Sequence, residues 1–399
     1  MSLTARGWTV LGGGVAWCVV ALAIGQRDLW WPGLFLVLLP LASRLLLVPG
    51  SIRTALARYL EPARVSVGEP VRVHLDLDPG GIGLGSLTRV RDQLPSALGD
   101  APWFTLATGL GRRRQTFSYD LHPAWRGRHR IGPLERSVAD ALGLARTTSV
   151  LTGHAELLVT PRVEPLANLR DASGVGLATD TTLLRTGLGS SDDVLIREYH
   201  QGDDVRRIHW RSTAHAGQLM VRREERAWDP SATVVIDNRA RGYSTRIHDE
   251  RLEWAVSAAA SIALHLLADG FDLSIVEADA RVLSPHRVGT GREAMVLDHL
   301  ADLAADRAHT LREALAACAA GAEGQLLVAI LSRVDDPDAA ALAEASRHGR
   351  ACWALLLASS PQLDATQATR IREAGWRCVV AGPGMSVAAA WREFARGSR

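Results

Sequence analysis

Two apolar runs lie near the start of the chain. Gly7–Gln26 contains 20 residues without a formal charge, and Leu29–Val48 contains another 20 that are interrupted only by Arg44. A helix of about 20 apolar residues is long enough to cross a hydrocarbon layer roughly 30 Å thick. The pattern therefore predicts a two-helix membrane anchor over residues 1–60.

After the predicted anchor, apolar and polar residues alternate with a period of two. In the run 71–77, valine or leucine occupies every second position. Such alternation is typical of strands whose sheet is buried on one face. Further strand-like runs, separated by glycine and proline turns, continue to Thr160 without a long amphipathic helix. The pattern predicts a small β-sandwich over residues 61–165, which either packs beside the last domain, binds a partner or acts as a spacer.

The last part of the chain alternates continuous apolar runs with amphipathic helices. This order is typical of a mostly parallel sheet covered by helices on both faces. It predicts a doubly wound α/β domain over residues 231–399, preceded by a segment, residues 166–230, that packs on it. The expected strands are Thr233–Asp237, Phe271–Glu277, Gln325–Leu331, Cys352–Leu357 and Cys378–Ala381, and the expected helices are Glu250–Ala268, Arg292–Ala305, Asp338–Arg347, Ala365–Ala374 and Val387–Arg396.

The distribution of arginine orients the predicted anchor. Arg6 precedes the first apolar run, several arginines follow the second run, and the short connection carries Arg27 beside Asp28. By the positive-inside rule, both termini and the domains that follow are expected in the cytoplasm. A cleaved signal peptide ending near Ala23 is the alternative, but a second apolar run follows at once, which argues against it.

The composition argues against several classes of function. The formal charge of +2 and the lack of a basic stripe interleaved with aromatic residues give no indication of nucleic-acid binding. Every basic residue other than histidine is arginine, so a phosphate-binding GxxxxGK[ST] motif is absent and the chain is not itself expected to be an ATPase. The four cysteines are scattered without a CxxC pair, which predicts free thiols in a reducing compartment and no zinc site.

The most unusual segment is residues 196–225, where charged, aromatic and apolar residues alternate almost one by one. Its pattern predicts a strand over Leu195–Tyr199, a turn at Gly202, and a short helix from Val205 to about Ala214. Asp203 or Asp204 is the expected N-cap of that helix. Gly217 then ends the helix before a second strand, Gln218–Arg222.

This segment resembles the signature of the domain of unknown function fifty-eight family. The matching residues are Arg197, Glu198, Tyr199, Gly202, Asp203, Asp204, Arg206, Ile208, His209, Trp210, Thr213, Ala214, Gly217, Leu219, Val221, Arg222 and Glu225. Residues 126–134 and 159–163 resemble the family as well. The resemblance implies a membrane-anchored protein with a von Willebrand A-like domain, often associated with a MoxR-type AAA+ ATPase.

A dense surface of this kind has two interpretations. It either forms a lattice of arginines and carboxylates that joins the β-sandwich to the α/β domain, with Ile208 and Trp210 buried, or it is a docking surface for an ATPase partner. Both can be true of one segment. The residues expected to form this signature surface are Arg197, Glu198, Tyr199, Gly202, Asp203, Asp204, Arg206, Arg207, Ile208, His209, Trp210, Arg211, Thr213 and Arg222.

Asp237 is the candidate metal ligand, because it ends the first strand of the predicted α/β domain. Domains of the von Willebrand A type that bind a metal usually carry Asp-x-Ser-x-Ser at this point, whereas this chain has Arg239 and Arg241 in place of the hydroxyls. A divalent cation requires oxygen ligands. A degenerate site without Mg²⁺, in which Asp237 pairs with Arg239 or caps a turn, is therefore favoured, and no other cofactor is expected.

The favoured function is a non-enzymatic adaptor or scaffold at the membrane that engages a MoxR-type AAA+ ATPase or its client. No nucleophile elbow accompanies the polar residues, and no catalytic residue is assigned. The first alternative is a metal-dependent hydrolase that uses Asp237 with Asp203, Asp204 and His209. The second is a structural protein of cell-envelope assembly. The sequence does not determine the oligomeric state.

Replacement of Trp210 by alanine separates the two interpretations of the signature segment. If the indole is buried, Trp210→Ala is expected to lower the free energy of unfolding by roughly 3–5 kcal/mol. Thermal melting of the purified protein measures the change, and an unaltered melting temperature would place Trp210 on an exposed docking surface.

Overall fold

The computed structural model describes residues 2–47, 55–78, 87–106, 114–167, 195–198, 210–223, 231–244, 249–285, 291–319, 326–349, 351–382 and 384–396. The chain divides into two compact units, Met1–Thr160 and Pro161–Arg399.

The first unit begins with two paired helices, α1 (Ala5–Ile24) and α2 (Trp30–Leu46). Glycines let them approach closely: a Cβ on Gly14 would lie 2.9 Å from Leu36 Cβ, and one on Gly33 would lie 2.6 Å from Cys18 Sγ. Small residues commonly allow such contacts between helices. By length and composition, α1 could cross a membrane, and it is the one described helix of which this holds. The second apolar run forms the helix α2, which has 17 residues.

The described part of the first unit also contains strands in three sheets. The strands are β1 (Ser2–Leu3), β2 (Ala55–Glu61), β3 (Arg64–Ser66), β4 (Val71–Asp78), β5 (Leu87–Asp92), β6 (Phe104–Leu106), β7 (Gln115–Leu121), β8 (Gly127–Ile131), β9 (Leu134–Ala139), β10 (Ala145–Leu151) and β11 (Ala155–Thr160). Their orders are β1-β10-β9-β5-β6, β3-β11-β8 and β2-β4-β7.

One apolar core joins the three sheets. The alternating residues Val71, Val73, Leu75 and Leu77 of β4 are fully buried in it, together with residues of β5, β8, β9 and β11. The sheet-rich unit therefore has the alternation that the sequence predicts. It starts earlier than residue 61, because β2 pairs with β4 along its whole length from Ala55.

A buried polar cluster also crosses the sheets. Arg58 of β2 donates from Nε to Asp92 Oδ2 of β5 at 3.2 Å, and the Tyr119 hydroxyl of β7 donates to the same oxygen at 2.7 Å. Burial, with the charge of Asp92, raises the pKa of Tyr119 above its ordinary value. Because a buried charge needs partners, this cluster fixes how β2, β5 and β7 meet.

The N-terminus is attached to the sheet-rich unit. Ser2 pairs with Arg146 in an antiparallel β1–β10 bridge, and Thr4 donates its backbone N–H to Leu144 O at 2.9 Å. A Cβ on Gly7 would lie 2.1 Å from Leu144 O, so the first turn of α1 lies directly against the turn that precedes β10. Because α2 also contacts β1 and β10, the two helices rest on the same part of the sheet.

The second unit contains the α/β domain and the short strands of the signature segment. Its strands are β12 (Leu195–Glu198), β13 (Met220–Arg223), β14 (Ser231–Ile236), β15 (Asp272–Glu277), β16 (Val282–Leu283), β17 (Leu326–Leu331), β18 (Ala351–Leu357) and β19 (Arg377–Ala381). Its helices are α3 (Trp210–Ala216), α4 (Glu250–Ala268), α5 (Arg292–Asp302), α6 (Arg312–Ala319), α7 (Asp336–Ser346), α8 (Pro361–Glu373) and α9 (Val387–Arg396).

The main sheet of this unit has the order β16-β15-β14-β17-β18-β19. Its strands are parallel except for β16, which pairs antiparallel with β15 at the edge. This is the doubly wound arrangement that the sequence predicts, and the strand order reverses between β14 and β17. Two apolar cores cover the two faces, one built with α4, α5 and α9 and the other with α6, α7 and α8.

Residues 161–167 pack on the α/β domain, although the predicted β-sandwich extends to residue 165. Glu164 accepts the backbone N–H of Ala388 at 3.0 Å, and Trp391 Nε1 donates to Ala167 O at 3.2 Å. The Ser257 hydroxyl of α4 donates to Arg162 O. These hydrogen bonds place the unit boundary after Thr160, about five residues before the predicted one.

Candidate functional site

The described part of the signature segment is a strand, a helix and a strand. β12 and β13 pair antiparallel, with Arg197 opposite Val221 and Glu198 opposite Met220. Gly217 adopts a φ of +71° and ends α3, where its N–H donates to Thr213 O at 3.0 Å. The Thr213 side chain then accepts the N–H of Met220 at 3.0 Å. Of the predicted surface, Tyr199, Gly202, Asp203, Asp204, Arg206, Arg207, Ile208 and His209 lie outside the described residues.

Trp210 is exposed, in contrast to the lattice interpretation in which it is buried. Its side chain at the start of α3 is 69% accessible to solvent, and Leu219 just before β13 is 43% accessible. Arg211 is exposed beside Trp210. A helix of seven residues has only two turns and cannot turn every apolar side chain toward the protein. The expected effect of Trp210→Ala on stability is accordingly small, within about 0.5 kcal/mol.

A second polar cluster lies at the carboxyl edge of the main sheet, just after β14. Asp237 follows the last residue of β14, and its side chain is completely buried. The side chain of Arg239 turns back toward it: Nε donates to Asp237 Oδ1 at 2.7 Å, and Nη2 donates to Asp237 Oδ2 at 3.0 Å. The pairing of Asp237 with Arg239, one of the two arrangements expected at this point, is the one observed.

The same guanidinium also binds a second carboxylate. Arg239 Nη1 lies 2.9 Å from both carboxylate oxygens of Asp338, which belongs to the first turn of α7. Its Nη2 also donates to Arg333 O at 2.8 Å. Burial by itself would lower the pKa of Arg239, but the charges and hydrogen bonds of Asp237 and Asp338 outweigh burial and raise it. Arg239 therefore remains a cation that lies between two buried carboxylates.

A serine in the turn after β17 also donates hydrogen bonds to Asp237. Ser332 donates its backbone N–H and its hydroxyl to Asp237 Oδ2 at 3.0 and 2.6 Å. Gly242 is required opposite this serine, because a Cβ there would lie 1.9 Å from Ser332 Oγ. The Tyr243 hydroxyl donates to the Asp237 carbonyl; burial, aided by the Asp237 charge, raises the pKa of Tyr243.

Arg241 and Asp335 form the outer part of this cluster. Arg241 donates from Nη2 to Asp338 Oδ2 at 2.7 Å and from Nη1 to Asp335 Oδ2 at 2.8 Å. Asp335 is the N-cap of α7, and its side chain and that of Asp338 form a capping box. Burial acts to raise the pKa of Asp335, but the Asp338 N–H and Arg241 outweigh it and hold the pKa below its ordinary value.

The geometry gives Asp237 little capacity to bind a metal ion. Both of its oxygens already accept hydrogen bonds, from Arg239 and from Ser332. Arg239 and Arg241 stand where a hard cation would require oxygen ligands. Within the described ranges, no group of three histidine, cysteine or acidic side chains is placed to hold a metal. The guanidinium groups of Arg239 and Arg241 supply positive charge beside the two carboxylates.

Sequence reasoning identified Asp237 and Arg239 but missed their partners Asp338 and Ser332. Asp338 lies 99 residues from Arg239 in the sequence, so only the sheet order brings the two together. The run Asp335-Asp336-Pro337-Asp338 does carry a local signal, since it is an N-cap pattern with proline in the first turn. That signal places a helix start but does not reveal what the carboxylate binds.

A small cavity of about 280 Å³ lies further along the same edge, at the ends of β18 and β19. Arg251 lines it and also donates to Gly242 O and Leu357 O, both at 3.1 Å. The buried Nε of Arg251 has no acceptor in the part of the chain that the structure describes. Trp254 lines the cavity as well. Sites that enclose small-molecule ligands usually have volumes of roughly 300–1,000 Å³, so this cavity suits a single side chain better than a nucleotide.

Comparisons with known proteins agree with the signature. Residues 195–358 match the model of a family described as "Protein of unknown function DUF58". The "Uncharacterized protein YeaD" of Bacillus subtilis (strain 168) is 26% identical over 173 residues, which cover 42% of this chain and 39% of that relative. The chain thus matches well under two thirds of the relative's length. The resemblance to the domain of unknown function fifty-eight family is confirmed over the matched region.

Two solved structures show weaker likeness. The SpRpn10 VWA domain is 13% identical with a TM-score of 0.30, and the match covers 41% of this chain and 94% of that domain. The CARDB domain of the PF1109 protein from Pyrococcus furiosus, solved with di-metal ions, is 20% identical with a TM-score of 0.19, covering 27% of this chain and 93% of that one. At these scores neither likeness bears on function, and the doubly wound description rests on the sheet order alone.

Loss of the central guanidinium is expected to destabilise the protein. Arg239→Met leaves the buried Asp237 carboxylate without a cation and leaves Asp338 with Arg241 alone, so it should lower the free energy of unfolding by about 3–5 kcal/mol at neutral pH. Burial already raises the pKa of Asp338 above its ordinary value of 3.8, and loss of Arg239 raises it further, so the loss of stability should shrink as the pH falls through that raised pKa. Denaturant unfolding of the full chain in detergent, followed by circular dichroism, measures both effects.

The matched control is Arg241→Met, since Arg241 is 34% exposed and its loss should cost less than about 1 kcal/mol. Equal losses in the two variants would contradict the central role of Arg239.

The cap of α7 gives a prediction about pH. Asp335→Ala should cost about 1 kcal/mol at pH 7, as is usual for loss of an acidic N-cap. The folded protein holds the pKa of Asp335 below its ordinary value of 3.8, so the stabilisation is complete above that pH and is lost as the pH falls through the lowered pKa. Unfolding curves of wild type and variant should therefore differ at pH 7 and converge at pH 2–3. A difference that stays constant over this range would show that the carboxylate charge plays no part.

Proposed function

Because residues 195–358 belong to the DUF58 family, we propose that this protein is a membrane-anchored, non-enzymatic adaptor that binds a protein partner through its signature segment. The partner proposed is a MoxR-type AAA+ ATPase or a client of that ATPase. The observation that carries the proposal is the exposure of Trp210 and Leu219 beside Arg211. Tryptophan and arginine are enriched among the residues that dominate the energy of protein interfaces.

The cluster around Arg239 supports a non-enzymatic role. A metal-dependent hydrolase would need the Asp237 carboxylate free to bind a cation, whereas its oxygens are engaged by Arg239 and Ser332. Asp203, Asp204 and His209, the other residues of the hydrolase alternative, lie outside the described residues. Metal analysis of the purified protein tests that alternative: a stoichiometric divalent ion that disappears in Asp237→Ala would favour the hydrolase.

The proposal includes an anchor of two spans with both ends in the cytoplasm. The 20 residues of α1 are long and apolar enough to cross a membrane, and the 17 residues of α2 lie at the lower end of the usual range for a span. Both helices contact the same sheet of the first unit, which is what a hairpin requires if its two ends leave the membrane on one side. The excess of arginine at those ends favours the cytoplasmic side.

Affinity capture of the tagged full chain tests the adaptor role. The protein is extracted from its own cells in a mild detergent, with and without a slowly hydrolysed ATP analogue, and the captured proteins are identified by mass spectrometry. A AAA+ ATPase of the MoxR type is expected, in an amount that depends on the nucleotide. Trp210→Ala should reduce its recovery at least tenfold without altering stability, as loss of a dominant interface residue costs about 2 kcal/mol or more.

The matched control is Leu363→Ala on α8, a side chain that is 41% exposed elsewhere in the same unit and should leave the recovery unchanged. If a well-solubilised preparation captures no AAA+ ATPase, the adaptor proposal is wrong and a structural role in the cell envelope is favoured. If Trp210→Ala captures the ATPase as well as the wild type does, the proposed partner is correct but Trp210 is not part of the surface that binds it.

A further inference from the structure

A cavity of about 720 Å³ lies in the first unit, where the start of α1 meets the sheet that contains β1, β5, β9 and β10. Three arginines from three different elements line it: Arg6 of α1, Arg89 of β5 and Arg146 of β10. Ser137 of β9 and Thr4 are also part of its wall. The cavity therefore combines three cationic side chains with an equal share of apolar surface, beside an apolar helix.

The strand register explains why two of these arginines share one face of the sheet. Arg89 lies opposite Ser137, and Arg146 lies opposite Ala139 on the other side of β9. Ser137 and Ala139 are two residues apart, and side chains two apart on a strand point to the same face. Arg89 and Arg146 are separated by two strand spacings across the sheet and by two residues along it, so their Cα atoms lie roughly 12 Å apart.

The positive charge of the cavity is not neutralised from within. Across the described ranges, none of the three arginines forms an ion pair, and all three are exposed. Asp140 is the one acidic residue in the lining. Its carboxylate accepts the N–H groups of Ala145 and Leu142 at 2.7 and 3.2 Å, so it is engaged in the turn between β9 and β10. A multivalent anion is the ligand that such a space attracts.

The position of the cavity along α1 indicates where that anion comes from. Thr4 caps α1 and donates its hydroxyl to Gly143 O at 2.6 Å, which fixes the helix start at the rim of the cavity. If the apolar 20-residue helix crosses the bilayer, its first turn lies at the depth of the lipid headgroups. Trp8 and Leu142 are 63% and 56% exposed near this rim, as expected of apolar side chains that meet the membrane interface.

We propose that this cavity binds the phosphate group of an anionic phospholipid headgroup, an inference that rests on the membrane anchoring proposed above. Arg89 and Arg146 bind the phosphate oxygens from the sheet, and Arg6 binds from the start of α1. Guanidinium groups suit this task because their planar donors match the geometry of a phosphate. Leu142, which also lines the cavity, contacts the acyl region of the same lipid. The first unit is thereby held against the membrane surface by lipid chemistry as well as by its helices.

Lipid binding to the full chain in a neutral detergent tests the proposal. Phosphatidylglycerol or phosphatidylcholine is titrated into the protein, and retained lipid is counted by native mass spectrometry. Phosphatidylglycerol should bind at least tenfold more tightly than phosphatidylcholine. Each of Arg6→Gln, Arg89→Gln and Arg146→Gln should weaken its binding about fivefold, the contribution of one basic residue near an anionic surface. The matched control is Arg130→Gln, an exposed arginine of β8 outside the cavity, which should bind as wild type does.

Two further experiments distinguish a lipid from a free phosphate, and failure of the lipid site from failure of the membrane anchor. Glycerol phosphate and inorganic phosphate are added as soluble competitors; displacement of phosphatidylglycerol at equal concentration would overturn the lipid assignment in favour of a free phosphate. Extraction of the wild-type protein from membranes by alkaline carbonate would refute the anchor itself. If the protein resists carbonate but binds phosphatidylglycerol independently of the three arginines, the headgroup site alone is refuted.

Discussion

The carboxyl edge of the main sheet depends on the buried guanidinium of Arg239. Asp237 directly follows the central strand β14 and Asp338 lies in the first turn of α7, so the fold places two carboxylates together in the interior. Two such charges cannot remain buried without a cation between them. The chain supplies that cation itself, two residues after Asp237, and its five donors reach both carboxylates and a backbone carbonyl. Both carboxylates therefore have a cationic partner within the chain, and this pairing stabilises the arrangement of β14, β17 and α7 that the sheet order brings about.

The ion pair between Asp237 and Arg239 occupies the place where a doubly wound sheet usually binds a ligand. In a doubly wound sheet the point at which the strand order reverses is the usual ligand site. Here that point is filled by Arg239 and closed by Ser332 and Gly242. Two features of the described residues are open to solvent away from this point: the exposed Trp210 of the signature segment, and the arginine-lined cavity at the start of α1. These two features carry the proposed contacts, with a protein partner in one case and with a membrane surface in the other.

Much of the fold follows from local patterns. The observed bounds of α4 and α9 are those predicted, because an amphipathic repeat bounded by clear signals defines each of them. Asp249 caps α4 by accepting the N–H groups of Arg251 and Leu252. The elements missed in the α/β domain are β16, which has two residues, and α6, which has eight. Both are too short to establish a period, so only contacts with the rest of the domain identify them. Of the two interpretations of Trp210, the buried one does not hold, since the short helix α3 leaves its side chain exposed.

The sequence by itself determined the two apolar helices, the alternating strands, the order of strands and helices in the α/β domain, and the family of its signature. Each of these depends on residues that lie a few positions apart, where spacing is enough. The tertiary structure decided which polar residues meet. Arg239 and Asp338 are 99 residues apart, and Thr4 is 139 residues from Gly143. Arg89 and Arg146 share a face only because β9 lies between their strands in one particular register. Sheet order and register arise from the packing of the whole chain, so no local pattern contains them.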